Sequence, residues 1–218
     1  MIKQVFKHLE KIYGPQYWWP AKTPFEVIVG AILTQNTSWS NVVKAIDNLK
    51  KREFLSFKKM LRVRPALLKE CIRPAGYYNV KTKRLKNFLV FLQNECSGDL
   101  SRLFSQPLMK LRAKLLHVNG IGPETADSIL LYAARKPIFV VDVYTKRIFS
   151  RIGLIREKET YESFQRMFMK SLPKSERVFN EYHALIVAHA KKDCLKIPRC
   201  RQCSLRPLCA YGRRQLLY

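Results

Sequence analysis

Acidic side chains are scarce in this sequence: 16 Asp and Glu stand against 41 Lys and Arg, leaving the 218-residue chain with a formal charge of +25. The excess is spread along the chain rather than gathered in a tail. A field of that sign attracts polyanions, so nucleic acid is the leading partner, and a merely soluble basic protein is the bland alternative. No run approaches about 18 continuous apolar residues, and no signal-type apolar stretch opens the chain, which argues against a membrane span and against export. A cytoplasmic monomer without membrane contact is expected. β-like alternation is scarce too, and internal repeats and low-complexity linkers are missing. What remains is 47% hydrophobic residues at a dominant spacing of about 3.6, enough to fill one compact domain or two small lobes.

That spacing predicts an all-α fold. "MIKQVFKHLEKIY" forms a first amphipathic helix, stopped by Gly14 and Pro15, and Pro24 opens a second, "PFEVIVGAILTQ", whose nearly unbroken apolar content implies full burial. Thr37 or Ser38 caps a third, "WSNVVKAIDNLKKR". Short helices follow over 56–63 and 65–72, then a turn at "RPAGYY", a long basic helix "NVKTKRLKNFLVFLQNE", and "PLMKLRAKLLHV". Later helices cover 142–152, 160–172 and 175–191.

In "HVNGIGPET", Gly120 and Gly122 permit backbone angles that a side chain would forbid and let another backbone come close. Ile121 can plug inward and pin the loop. Pro123 at a helix start leaves the remaining N–H groups of the turn aimed outward, a geometry suited to a phosphate. Alone, the motif fits a plain tight turn equally well. Flanked by "LMKLRAKLLHV" and "ADSILLYA", it resembles the helix-hairpin-helix that binds DNA backbone. With "IFVVD" following, the chain resembles the helix-hairpin-helix DNA glycosylase superfamily, to which endonuclease III belongs.

The resemblance implies that Asp142 is catalytic. It would face the sugar of a damaged nucleotide flipped from the duplex and stabilise the positive charge that grows as the base departs; the alternative is a helix N-cap and no more. In endonuclease III the residue two after the second hairpin glycine is the lysine that forms a Schiff base. Glu124 stands there, and a carboxylate forms no imine, so strand cleavage by that route is closed. Glu124 otherwise reads as a first-turn acid favoured by the helix dipole. Lys110, Lys114 and Lys146 are other amines within conceivable reach of an aldehyde.

All three tryptophans, Trp18, Trp19 and Trp39, lie around the second helix with Tyr17. They pack a core or stack an extruded base, at about 1–3 kcal/mol per base. "WWP", "GAILTQNT" and "RPAGYYNVKTKRL" resemble the endonuclease III-like 3-methyladenine DNA glycosylases. That likeness implies a base pocket of Trp18, Trp19, Pro20 and Trp39, the last typically phenylalanine in those enzymes. It also implies Gln35 as the residue that fills the duplex gap, although a helix-terminal amide bonded to backbone is the other reading.

Cys194, Cys200, Cys203 and Cys209 read C-x5-C-x2-C-x5-C. Four thiolates so close signal a metal, and spacing alone leaves zinc and a 4Fe-4S cluster both open. "YHALIVAHAKKDC" and "PRCRQC" resemble the endonuclease III cluster loop, one residue short in the first gap, and imply the 4Fe-4S cluster. The loop would present Lys191, Lys192, Arg199 and Arg201 to phosphates, while Gly120, Ile121 and Gly122 grip backbone, with a monovalent cation at the hairpin a further expectation. His183 and His189 read as packed core histidines. The implied architecture is a central helical bundle over 22–133, with the helix-hairpin-helix at about 108–133, and a second lobe of 1–21 plus 134–218 carrying the loop 194–209. The implied activity is monofunctional excision of an alkylated purine such as 3-methyladenine from double-stranded DNA. The alternatives are a glycosylase with lyase activity on oxidised pyrimidines and a non-enzymatic binder of damaged DNA.

Overall fold

The computed structural model describes residues 1–19 and 21–215, and among these every regular element is helical. The chain divides into two compact units: Met1–Trp18 with Pro137–Tyr218, and Trp19–Lys136.

Helix α1 (Ile2–Tyr13) belongs to the first unit and ends where Gly14 takes φ 65, an angle that favours glycine. The second unit opens with α2 (Pro24–Leu33). Thr23 caps it by accepting the Glu26 N–H, Pro24 sits at the first helical position, and every residue from Phe25 to Leu33 is buried. A helix so nearly apolar all round has no face to offer water, so neighbours must surround it. Those neighbours include α3 (Trp39–Lys51) and α6 (Tyr78–Cys96), with α4 (Phe57–Arg62) and α5 (Pro65–Ile72) between them in sequence. Glu26, the one ionisable group inside α2, is paired with Lys50 at 2.6 Å. Ser38 takes the N-cap position of α3, but its hydroxyl meets Ser40 rather than a backbone N–H.

The unit closes with α7 (Leu100–Phe104), α8 (Leu108–Leu116) and α9 (Pro123–Ser128), the last running on into a π-helical turn at Ile129–Ala133. A buried bidentate pair, Arg112 to Asp127 at 2.7 and 3.1 Å, clips α8 to α9 on either side of the glycine turn. Lys81 is 1% exposed and donates to the Leu33 and Ala75 carbonyls at 2.8 and 2.7 Å. Burial, helped by the Arg84 charge, pulls its ammonium down to about 8.

Returning to the first unit, 138–141 is a buried non-helical segment whose Phe139 stacks on Phe168 at 3.9 Å and accepts the Gln165 amide at 2.7 Å through its carbonyl. It feeds directly into α10 (Val143–Ile152). Behind follow α11 (Tyr161–Ser171), α12 (Glu176–Lys192) and α13 (Ala210–Arg214), with α10 packed on α12. α7, α13 and two 3-10 turns in the cysteine loop have no counterpart in the sequence reading. Each is five residues or fewer, too short to show a helical period.

Candidate functional site

The hairpin 118–123 joins α8 to α9. Its turn closes through the Ile121 N–H to the Val118 carbonyl at 3.0 Å, and Ile121 is 4% exposed, plugged inward as its sequence position suggested. The two glycines differ. Gly120 takes φ 96, and a Cβ there would lie 2.3 Å from the Arg84 Cγ, so glycine is needed on both conformational and steric grounds. Gly122 takes φ -90 and ψ 179, extended backbone open to any residue, with nothing within 4 Å of an added Cβ. The expectation that both glycines adopt angles closed to a side chain is therefore corrected for Gly122. Glycine there keeps the exposed outer edge of the turn clear.

Gln35, just past α2, holds this turn. Its amide nitrogen donates to the Gly120 carbonyl at 3.0 Å and to the Thr125 hydroxyl at 2.9 Å, while its oxygen accepts from Arg84. The amide is thus engaged on both ends, and filling a duplex gap requires it to leave all three partners. Arg84 and Thr125, which complete this arrangement, carry no local signal in sequence. Glu124 is an exposed first-turn residue of α9.

Trp19 and Trp39 meet edge to face at 5.0 Å, and Tyr132 of the π turn lies 4.9 Å from Trp19. Gly30 lies where they converge: an added Cβ would stand 3.4 Å from Trp19 Cζ2 and 3.7 Å from Trp39 Cη2. Tyr132 was not anticipated, since it sits in an unbroken apolar run that reads as core. Trp18 belongs to the other unit, and Pro20 lies outside the described residues.

Asp142 is the N-cap of α10. Its Oδ1 accepts both the Thr145 N–H, at 2.7 Å, and the Thr145 hydroxyl, at 2.8 Å. The N-cap reading is thus met, and it uses one oxygen only. The other, Oδ2, lies 3.6 Å from Nε2 of His183 on α12. Burial pushes the carboxyl up, but His183 and the Thr145 donors outweigh it, and the group is held below the ordinary aspartate value. His183 is therefore more than a packing residue. Lys146, one turn on, reaches the Glu159 carbonyl at 3.4 Å; Lys110 and Lys114 line a groove of about 580 Å³, with Lys114 paired to Glu95.

The four clustered cysteines are free thiols that line one small pocket together. Arg151 donates to Cys194 Sγ and the Gly212 N–H to Cys209 Sγ, each at 3.3 Å, while Cys209 Sγ donates to the Arg151 carbonyl at 3.2 Å, as a thiol does. Burial pushes the Cys203 thiol up to about 11, so a bound metal is what would make that sulfur anionic. Among the described residues, no three His, Cys, Asp or Glu side chains converge as a single ion needs. Lys191, Lys192, Arg199 and Arg201 are all exposed on and beside this loop.

A glycine turn clipped between two helices, a helix-capping carboxylate just beyond it and a four-cysteine loop at the end define a helix-hairpin-helix DNA repair protein. The chain belongs to the HhH-GPD superfamily of base excision DNA repair proteins, whose family model matches residues 29–174, and is a DNA glycosylase of that superfamily. It is 51% identical over 210 residues to a provisionally named DNA repair glycosylase of Methanocaldococcus jannaschii, covering 96% of each chain. Endonuclease III of Sulfolobus acidocaldarius is 31% identical over 191 residues, covering 86% of this chain and 82% of its own. Among solved structures, the 3-methyladenine DNA glycosylase of H. pylori bound to 1,N6-ethenoadenine matches with a TM-score of 0.78 at 29% identity, over 88% of this chain and 97% of that one. An endonuclease III trapped covalently on DNA matches with a TM-score of 0.83 over 99% of both, and at 21% identity that likeness concerns the fold.

Proposed function

We propose that the protein is a monofunctional glycosylase that removes an alkylated purine, such as 3-methyladenine, from double-stranded DNA by hydrolysis and leaves an abasic site. The observation that carries the hydrolytic part is the Asp142 carboxylate, ionised, fixed through one oxygen and with the other left for chemistry. As the bond from the sugar C1′ to the base breaks, its electron pair leaves with the base, which takes a proton from solvent. Asp142 stabilises the positive charge at C1′ and receives the proton of the water that adds there. Trp19 and Trp39 would stack on an electron-poor base, and cation-π attraction would add about 2 kcal/mol for a desolvated cationic one. The resemblance adds Trp18 and Pro20 to that pocket and assigns gap filling to Gln35. The hairpin residues Gly120, Ile121 and Gly122 would meet phosphates through backbone, and the loop cations Lys191, Lys192, Arg199 and Arg201 through charge.

Cys194, Cys200, Cys203 and Cys209 would hold a 4Fe-4S cluster, whose contribution is to fold the loop. A brown preparation with broad visible absorbance is expected, and a colourless protein with bound zinc overturns that assignment.

Monofunctionality rests on Glu124. Borohydride should trap no wild-type protein on DNA, whereas Glu124→Lys gains a covalent adduct; a trapped wild type refutes the claim. The relative named endonuclease III at 31% identity favours a second reading, excision of oxidised pyrimidines. A panel of duplexes carrying one methylated, deaminated or oxidised base decides between them. Asp142→Asn should bind abasic-site DNA and release no base, and wild type that releases none across the panel is a binding protein only.

A further inference from the structure

We infer that His183 is the positioning residue for the reacting oxygen of Asp142, and that this oxygen is Oδ2; the inference rests on the hydrolytic reading above. A carboxylate offers two oxygens with about four lone-pair sites. Thr145 places two donors on Oδ1, its N–H at 2.7 Å and its hydroxyl at 2.8 Å, and Thr145 is fully buried, so that oxygen is saturated. Water and sugar are left to Oδ2. The cation-capable side chain facing Oδ2 comes from another helix: His183 Nε2 of α12 stands 3.6 Å away, and His183 is 6% exposed.

At that separation the imidazole is at ion-pair distance but beyond a hydrogen bond. It fixes the charge of Oδ2 without consuming the lone pair that the reaction uses. The groups acting on the carboxyl are Thr145 on its own helix and His183 on α12, and together they overcome the burial that would otherwise neutralise it. One oxygen thus anchors the helix start, and the other is kept charged and available. His183 acts through Asp142 and has no assigned contact with substrate.

The test compares His183→Phe, which keeps a ring but removes the donor, with His183→Gln, which keeps an N–H at similar reach. Single-turnover base release should fall about 10- to 100-fold in the Phe variant, which takes away the polar group facing the charged oxygen. Affinity for abasic-site DNA should not change, and the Gln variant should recover most of the rate. A Phe variant at wild-type rate, or a Gln variant no better than Phe, overturns the inference while Asp142→Asn still reports on the hydrolytic reading. A second measurement does not depend on activity. In protein labelled with ¹³C at aspartate, the Asp142 carboxyl should titrate at higher pH in His183→Phe than in wild type. An unchanged titration overturns the inference even if no substrate is ever found.

Discussion

The hairpin glycines make a paired test because the structure gives them different reasons to exist. Gly120→Ala must adopt φ 96, a left-handed angle that costs about 1–2 kcal/mol for a residue with a side chain. Its methyl would also stand 2.3 Å from Arg84 Cγ and 2.9 Å from Cδ. Moving that stem withdraws the guanidinium from Gln35, a charged hydrogen bond worth about 1.5–3 kcal/mol. The sum, about 2.5–5 kcal/mol, at roughly 2–4 °C per kcal/mol for a chain of this size, lowers Tm by about 5–20 °C. Gly122→Ala meets neither obstacle, so its stability should stay within about 0.5 kcal/mol of wild type. If a DNA backbone approaches the exposed edge of the turn, the same methyl stands in its way, and affinity for an abasic-site duplex should weaken about tenfold, or 1.4 kcal/mol. Thermal melts and fluorescence anisotropy read the two quantities separately. A Gly120→Ala melting within 2 °C of wild type, on the scale just given, refutes the steric account, and a Gly122→Ala that binds like wild type refutes the grip.

Arg112→Met leaves the fully buried Asp127 carboxylate without its bidentate partner and should cost about 3–5 kcal/mol in chemical denaturation, with the α8 and α9 clip lost. A cost below 1 kcal/mol, well under that range, contradicts the reading of this pair as buried and coupled. The Asp142 carboxyl sits below its ordinary value, so what its charge contributes is fully present above the unfolded value of about 4 and is lost as pH falls through the folded one. Base release governed by Asp142 should therefore stay level from neutrality down to about pH 4. An acid limb centred above about pH 5 would sink that assignment.

Local features were legible in the sequence because local rules produce them. Pro24 set the start of α2, a nearly unbroken apolar run made it buried, and Gly-Ile-Gly before Pro123 read as a turn. Contacts across the fold were not. His183 lies 41 positions after Asp142 (183 minus 142), and only the packing of α10 on α12 brings them together. Gln35 reaches partners at 84, 120 and 125 for the same reason. Gly120 and Gly122 carry one letter and two conformations, and the letter cannot tell them apart.

Charge was legible in amount but not in direction. A net +25 makes every Lys and Arg a candidate phosphate contact, yet several are committed inside the protein. Lys86 donates to the carbonyls of Met60, Leu61 and Val63, each at 2.8 Å. Arg147 reaches the Cys194 carbonyl at 2.9 Å, and Arg151 the Leu195 and Lys196 carbonyls at 2.7 and 2.8 Å. These two arginines bolt the cysteine loop to the helix whose first residue Asp142 caps. Salt dependence separates the two kinds of cation. Each cation that meets a phosphate releases about one counterion, so Arg201→Gln should flatten the slope of log affinity against log salt by about one. Lys86→Gln should leave the slope alone and lower Tm, because its loss leaves three carbonyls without a donor. Equal slopes for Lys86→Gln and Arg201→Gln would show that exposure in the structure does not sort structural cations from DNA-facing ones.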